Sequence, residues 1–151
     1  MPIPTIFLVE SDPNDEALIL RELEKQSVVN EITVVRDGAE ALDYLFVRGK
    51  YAPREPKDLP TVILLDLKLP KIDGLEVLRR IRADERTKLV PVVILTSSDE
   101  HKDMVESYNL GANSYVRKPV DFEQFKMAVR ERHLYWLLLN EPPPPPEVGQ
   151  E

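Results

Sequence analysis

Asp66 closes the apolar run Thr61-Val62-Ile63-Leu64-Leu65 and is followed by Leu67-Lys68-Leu69-Pro70-Lys71-Ile72-Asp73-Gly74. A buried strand has little use for a carboxylate inside a sheet, so Asp66 is expected to emerge at the strand's carboxyl end, where open α/β sheets hold their ligands. Other strand ends gather Glu10-Ser11-Asp12, Thr96-Ser97-Ser98 and Lys118-Pro119. Carboxylates brought together at one edge call for a cation. Oxygen-only donors favour a hard ion such as Mg²⁺, which takes one or two carboxylates, keeps waters and accepts a phosphate oxygen. A carboxylate, a magnesium ion, a hydroxyl and a lysine together form a phosphoryl-handling site. Asp66 would attack in line, while Mg²⁺, the Lys118 ammonium and the Thr96 hydroxyl stabilise charge on the equatorial oxygens.

Five short β-branched runs position these residues: Thr5 to Val9, Ile32 to Val35, Thr61 to Leu65, Val92 to Thr96 and Ser114 to Arg117. Helical patterns alternate with them. Asp12-Pro13 reads as an N-cap with proline at the first helical position, and Leu18, Ile19 and Leu23 share a face behind it. Ala41, Leu42 and Leu45 mark a second helix, and Leu75, Leu78 and Ile81 a third. Met104, Val105 and Tyr108 mark a fourth that ends at Gly111. Asp121 with Gln124 resembles a capping box, opening a last helix whose stripe is Phe122, Phe125, Val129, His133 and Trp136. Strict alternation predicts an α/β fold with a parallel sheet covered on both faces.

Two segments interrupt the pattern. Residues 48–58, polar and proline-bearing, read as a surface loop. Glu141 and the five prolines Pro142 to Pro146 begin an extended polyproline or disordered tail, alternatively a ligand for a proline-reading domain. The expected division is one domain over residues 1–140 and a Pro-rich tail over residues 141–151. A chain of 151 residues, 42% hydrophobic and 31% charged, suits one such domain. A net charge of −7 argues against a nucleic-acid surface. No cysteine is present, so disulfides and thiolate metal sites are excluded. No apolar run approaches the roughly 20 residues of a membrane span, and the start lacks a signal-peptide pattern. The cytoplasm is the expected compartment, with no membrane and no nucleic acid as partner.

Val9-Glu10, Leu64-Leu65-Asp66 with Pro70 and Asp73-Gly74, Leu95-Thr96-Ser97, and Tyr115 with Lys118-Pro119 resemble the receiver domains of two-component response regulators, in order and spacing. The resemblance covers roughly residues 5 to 138. It implies a flavodoxin-like (βα)5 fold with strand order 2-1-3-4-5. It makes Asp66 the phosphoacceptor, Lys118 the partner of the phosphoryl group, Thr96 the switch hydroxyl, Tyr115 the aromatic that follows it, and Pro119 a cis-proline. Glu10, Asp66 and the Lys68 carbonyl become the ligands of Mg²⁺. A phosphoryl group on Asp66 would draw Thr96 inward and repack the face of the fourth helix, fifth strand and fifth helix. The insertion at Tyr51 to Pro56, Ala112 to Tyr115, and Tyr135-Trp136-Leu137 look like the small stand-alone regulators paired with phytochrome-type histidine kinases.

The family usually carries two adjacent acids after the first strand, and the second is Ser11 here. A hydroxyl is a weaker, neutral donor, so reduced Mg²⁺ affinity is expected. Asp12 could substitute, although its place before Pro13 suits helix capping. Lys68 could bring its ammonium near the phosphoryl group.

Each residue also has a plainer role to weigh. Asp66 alone reads as a turn residue, Thr96 to Asp99 as an N-cap cluster, Tyr115 as a half-buried strand residue, and Asp73-Gly74 as a turn. His101 and His133 lack metal-ligand spacing. The run His133 to Leu139 is apolar on nearly all sides, which points to a homodimer formed through it and the face of helix four, strand five and helix five.

The leading expectation is a single-domain response regulator, not an enzyme in its own right, that takes a phosphoryl group from a sensor histidine kinase, promotes its own phosphotransfer and dephosphorylation, and signals by protein contact. The alternative is a degenerate receiver acting as a phosphorylation-independent dimeric scaffold, for which Ser11 is the support. A phosphatase of the haloacid-dehalogenase type is excluded because Asp66-Leu67-Lys68 lacks the second aspartate. A nucleotide-dependent oxidoreductase is excluded because no glycine-rich loop follows the first strand.

Overall fold

The computed structural model describes residues 5–25, 31–55, 58–98, 100–118 and 123. Five strands form one parallel sheet: β1 Thr5–Val9, β2 Glu31–Val35, β3 Val62–Leu65, β4 Val92–Thr96 and β5 Ser114–Arg117. Their order is β2-β1-β3-β4-β5, as the sequence implied. Among the described residues lie four α-helices, α1 Pro13–Lys25, α2 Gly38–Leu45, α3 Gly74–Ala83 and α4 His101–Asn109, and a 3-10 turn at Gly49–Tyr51. The expected last helix, its apolar continuation and the proline tail lie outside the described residues.

The period of two along each strand divides the core. Ile6, Leu8, Val62, Leu64, Val93 and Leu95 pack with Ile19 and Leu23 of α1. Phe7, Val9, Ile63 and Leu65 pack with α2 and α3 on the opposite face. Two expected helix faces differ in detail. Leu18 is 45% exposed, and Leu20 packs beside Ile19 and Leu23 instead. On α4, Val105 and Tyr108 are each 42% exposed and Ser107 is the buried residue. The stripe identified that helix correctly but not the face it buries. Gly111 takes φ +104°, and Ala112 N–H returns to the Ser107 carbonyl at 2.9 Å, the left-handed exit a glycine permits.

Residues 48–55 are more than a surface loop. Tyr51 packs edge-on to Tyr44, with ring centroids 5.1 Å apart, and donates its hydroxyl to Glu40 at 2.7 Å. Arg54 lies 3.7 Å over the Tyr44 ring and donates to the carbonyls of Tyr44 and Asp58. Tyr44 in turn stacks on Phe7, so the segment is tied through aromatic contacts to the sheet.

The connection from β3 to α3 is the tightest part of the molecule. Asp73 caps α3 by accepting from Glu76 N–H at 3.0 Å, and Gly74 N–H bonds the Leu67 carbonyl at 2.8 Å. A Cβ on Gly74 would lie 2.2 Å from the Asp66 carbonyl oxygen and 2.6 Å from the Leu67 Cα. A Cβ on Gly38 would meet the Ile72 carbonyl oxygen at 1.8 Å. Lys71, with φ +70°, is the centre of a γ-turn closed from Ile72 N–H to the Pro70 carbonyl at 2.8 Å, a strained form. The segment that follows Asp66 is therefore pinned between α2 and α3 by backbone contacts that admit no side chain. Gly74→Ala is expected to lower stability by about 2 kcal/mol through overpacking, read as a lower denaturant midpoint; an unshifted midpoint would contradict the packing described here.

Candidate functional site

β1, β3 and β5 each deliver one functional residue to the same edge. Glu10 continues β1, its N–H bonded to the Val35 carbonyl at 3.0 Å, and Asp66 continues β3, its N–H bonded to the Val9 carbonyl at 3.1 Å. By parity both follow the α1-side residues of their strands, Ile6 and Leu8 in one and Val62 and Leu64 in the other. Lys118 follows β5, its N–H bonded to the Thr96 carbonyl at 2.8 Å. β1 and β3 are neighbours, yet α1 leaves toward one face of the sheet and α2 and α3 lie on the other. This is the switch point at which an open sheet leaves a crevice.

The Lys118 ammonium stands 2.7 Å from Glu10 Oε1, 2.8 Å from Asp66 Oδ2 and 2.8 Å from Asp15 Oδ2. Its side chain is 7% exposed. An ammonium has three donors, and three carboxylates surround it. Burial alone would pull the Lys118 pKa down, but its hydrogen bonding to the Asp15, Asp66 and Glu10 carboxylates outweighs it and holds the group above its usual range. Burial pushes Glu10 up to about 7, assisted by the Asp66 charge and opposed by Lys118. Glu10 Oε2 accepts from Asp12 N–H at 3.1 Å. Glu10 Oε1 has its ion pair with Lys118 but no donor in hydrogen-bonding alignment.

Asp15 is the residue that sequence reasoning missed. An acid in the first turn of a helix has an ordinary explanation in the helix dipole, and nothing in the spacing from Ser11 marked it. The only signal was the density of acids around Pro13. Asp12 is where capping placed it: Oδ1 accepts from Asn14 N–H at 2.8 Å and Asp15 N–H at 3.2 Å. It therefore does not replace the missing acid at the site. By ordering this turn, however, Asp12 directs Asp15 inward.

The donors that face a cation are mixed. Ser11 Oγ donates to the Lys68 carbonyl at 3.4 Å, and Asp66 Oδ1 accepts from Lys68 N–H at 3.2 Å. Among the described residues no group of three or more acids, histidines or cysteines is arranged to hold a metal alone. Two carboxylates, from Glu10 and Asp66, with a carbonyl, a hydroxyl and waters nevertheless fit a hard divalent ion. The unaligned buried Glu10 oxygen and the excess of carboxylates over ammonium supply the charge to attract one.

Thr96 and Tyr115 meet at Ser98 rather than at Asp66. Thr96 is fully buried and its Oγ1 accepts from Ser98 N–H at 3.3 Å. The Tyr115 hydroxyl donates to the Ser98 carbonyl at 3.2 Å, and Ser98 Oγ donates to Asp103 of α4 at 2.5 Å. A cleft of about 480 Å³ opens beside Asp66, lined in part by Ser11, Lys68, Pro70, Asp73 and Asp103. Pro119 lies outside the described residues, and the cis bond expected there with it. His101 is exposed on α4, away from any metal-ligand group.

Residues 6–130 match the model of the response regulator receiver domain. The bacteriophytochrome response regulator RtBRR has a solved structure 52% identical in sequence, with a TM-score of 0.82, matched over 95% of this chain and 86% of that one. The Mn(2+)-bound form of response regulator Rcp1 is 35% identical, with a TM-score of 0.76, over 95% of this chain and all of that one; Rcp1 is a protein of Synechocystis sp.. The probable methanogenesis regulatory protein FilR2 of Methanothrix harundinacea is 42% identical over 143 residues, 94% of this chain and 90% of its own length. Five parallel strands in this order, a lysine caged by acids at their carboxyl edge, and relatives spanning nearly the whole chain place this protein in the receiver-domain family of response regulators.

Proposed function

We propose that this response regulator accepts a phosphoryl group on Asp66 from a phosphohistidine of a sensor kinase and passes the change on through protein contacts. The observation that carries this reading is the Lys118 ammonium, 2.8 Å from Asp66 Oδ2, at a strand end otherwise made of carboxylates. One Asp66 oxygen forms a bond to phosphorus as the bond from phosphorus to the imidazole nitrogen breaks, and the imidazole leaves with its electron pair. Lys118 transfers a hydrogen bond from Asp66 to an equatorial oxygen, and Thr96 provides its hydroxyl to another. A bound divalent ion, Mg²⁺ by donor chemistry, would neutralise charge on the phosphoryl oxygens, held by Glu10, Asp66, the Lys68 carbonyl and, weakly, Ser11. The chain thus promotes its own phosphotransfer and dephosphorylation without turning over a separate substrate.

Readout begins at Ser98. Moving the Thr96 hydroxyl toward a phosphoryl group breaks its bond from Ser98 N–H, and Ser98 also holds Tyr115 and Asp103. The displacement is therefore passed to β5 and α4, where Val105 and Tyr108 already face solvent. A partner or second copy reading this face, together with the apolar segment after Arg132, is the output we favour. Similarity to RtBRR supports a phytochrome-type histidine kinase as the donor. A cytoplasmic setting is part of this reading.

Intact-protein mass after incubation with a small phosphodonor and Mg²⁺ should show a phosphoryl adduct on wild type and none on Asp66→Asn; absence of the adduct from both wild type and Ser11→Asp would reject phosphorylation at this site. Lys68 is exposed beside the cleft, where its ammonium can offset phosphoryl charge and obstruct water. Lys68→Ala should shorten the aspartyl-phosphate half-life by about twofold or more, followed by decay of the same adduct. An unchanged half-life would remove Lys68 from the mechanism.

A further inference from the structure

We propose that Asp15 supplies the carboxylate charge that Ser11 omits: it holds the Lys118 ammonium when Glu10 and Asp66 turn to a divalent cation, and so sustains cation affinity without entering the cation's shell. The inference rests on the phosphoacceptor reading of Asp66 and assigns a positioning role within that site. Three distances carry it. The ammonium donates to Asp66 and Asp15 at 2.8 Å each and is ion-paired with Glu10 at 2.7 Å. Both other carboxylates are candidate cation ligands, so cation binding competes with Lys118 for each of them. Asp15 alone is left to keep the ammonium beside Asp66.

Charge leads to the same assignment. With Glu10 ionised, as cation binding requires, Glu10, Asp15 and Asp66 against Lys118 leave an excess of two negative charges, matching a divalent ion. Without Asp15 the excess would be one. The position is built rather than incidental, because Asp12 caps the turn through Asn14 and Asp15 N–H and Glu10 Oε2 fixes Asp12 N–H. Asp15 Oδ2 is committed to Lys118, which assigns it to the lysine rather than to the cation. Groups behind a metal's direct ligands commonly change affinity by ~10-fold when neutralised.

The test is Mn²⁺ affinity of the full chain, from the electron paramagnetic resonance signal of the free ion, for wild type, Asp15→Asn, Asp15→Glu, Ser11→Asp and the double variant Ser11→Asp/Asp15→Asn. Asp15→Asn should bind about tenfold more weakly, with Asp15→Glu close to wild type and the double variant restored. A purely helical role for Asp15 would move the denaturant midpoint and leave Mn²⁺ affinity alone. Equal affinity in wild type and Asp15→Asn, or failure of Ser11→Asp to rescue Asp15→Asn, overturns the proposal. Wild type that takes up no Mn²⁺ also overturns it. The phosphoryl adduct on Asp66 is a separate measurement, so that the failure of this inference is distinguishable from failure of the proposed function.

Discussion

One ammonium ion between three carboxylates ties together the carboxyl ends of β1, β3 and β5 and the first turn of α1. Lys118 reaches back across β4 to Asp66 at the end of β3, to Glu10 at the end of β1, and to Asp15 in the first turn of α1. Desolvating four charged groups is costly, and such a cluster is not assembled for stability. It persists because β1 and β3, which carry Glu10 and Asp66, are buried on both faces and cannot rotate or slide without exposing a face of the core. The parity that buries Ile6 and Leu8 on the α1 side also determines where Glu10 goes, and Val62 and Leu64 do the same for Asp66. The cost of the site is thus borne by the sheet, and the close backbone packing at Gly38 and Gly74 keeps the loop after Asp66 from relaxing away.

The same rigidity gives the site its route to the surface. Ser98 has its N–H on Thr96, its carbonyl on the Tyr115 hydroxyl and its own hydroxyl on Asp103. The bonds to Thr96 and Tyr115 are ordinary ones that contribute about 1 kcal/mol net each, while the one to the Asp103 carboxylate is charge-assisted and stronger. Their value is that one residue serves three elements, so a change in Thr96 is felt by β5 and α4 together. The far end of α4 is held more firmly. Arg82 donates to the carbonyls of Gly111, Lys88 and Val90 and to the Asn113 side chain, with Asn113 also fixing Val92 N–H at 2.8 Å. The two ends of α4 are thus held unequally, by the Ser98–Asp103 contact at its start and by the Arg82 and Asn113 clamp beyond its end.

Much of this was legible in the chain because the signals were strong where the fold is strict. Every strand was placed to within a residue, since β-branched runs buried on both faces have few alternative readings. Asp66, Lys118 and Glu10 followed from topology: carboxyl ends of parallel strands share an edge whatever the side chains. What escaped depends on direction rather than on element. The apolar stripe of α4 marked a helix, but a helix on a signalling face need not bury that stripe, and Leu20 rather than Leu18 faces the core because the approach of α1 is set by its capped turn. The Tyr44, Tyr51 and Arg54 assembly was hidden in a polar loop because its stability comes from ring contacts that no periodicity records. Asp15 was hidden because its target lies 103 positions away, and locally it is indistinguishable from an acid that complements a helix dipole.

On the proposed reading, the placement of negative charge accounts for a serine where the family usually carries an acid. A phosphoryl group brings up to two negative charges into the site, and every carboxylate that attracts the cation also repels that group. Charge at position 11 would act directly on both. Charge at Asp15 acts through Lys118, whose ammonium lies between it and Asp66 and must remain nearby to receive an equatorial oxygen. Moving the acid from the cation's shell to the lysine keeps the total that draws in a divalent ion and takes the repulsion one group farther from the reacting phosphorus. It also ensures that Lys118 is not abandoned when its two other partners are taken by the cation. Cation affinity and lysine position, separate requirements when two adjacent acids follow β1, are thereby coupled through one side chain in the first turn of α1.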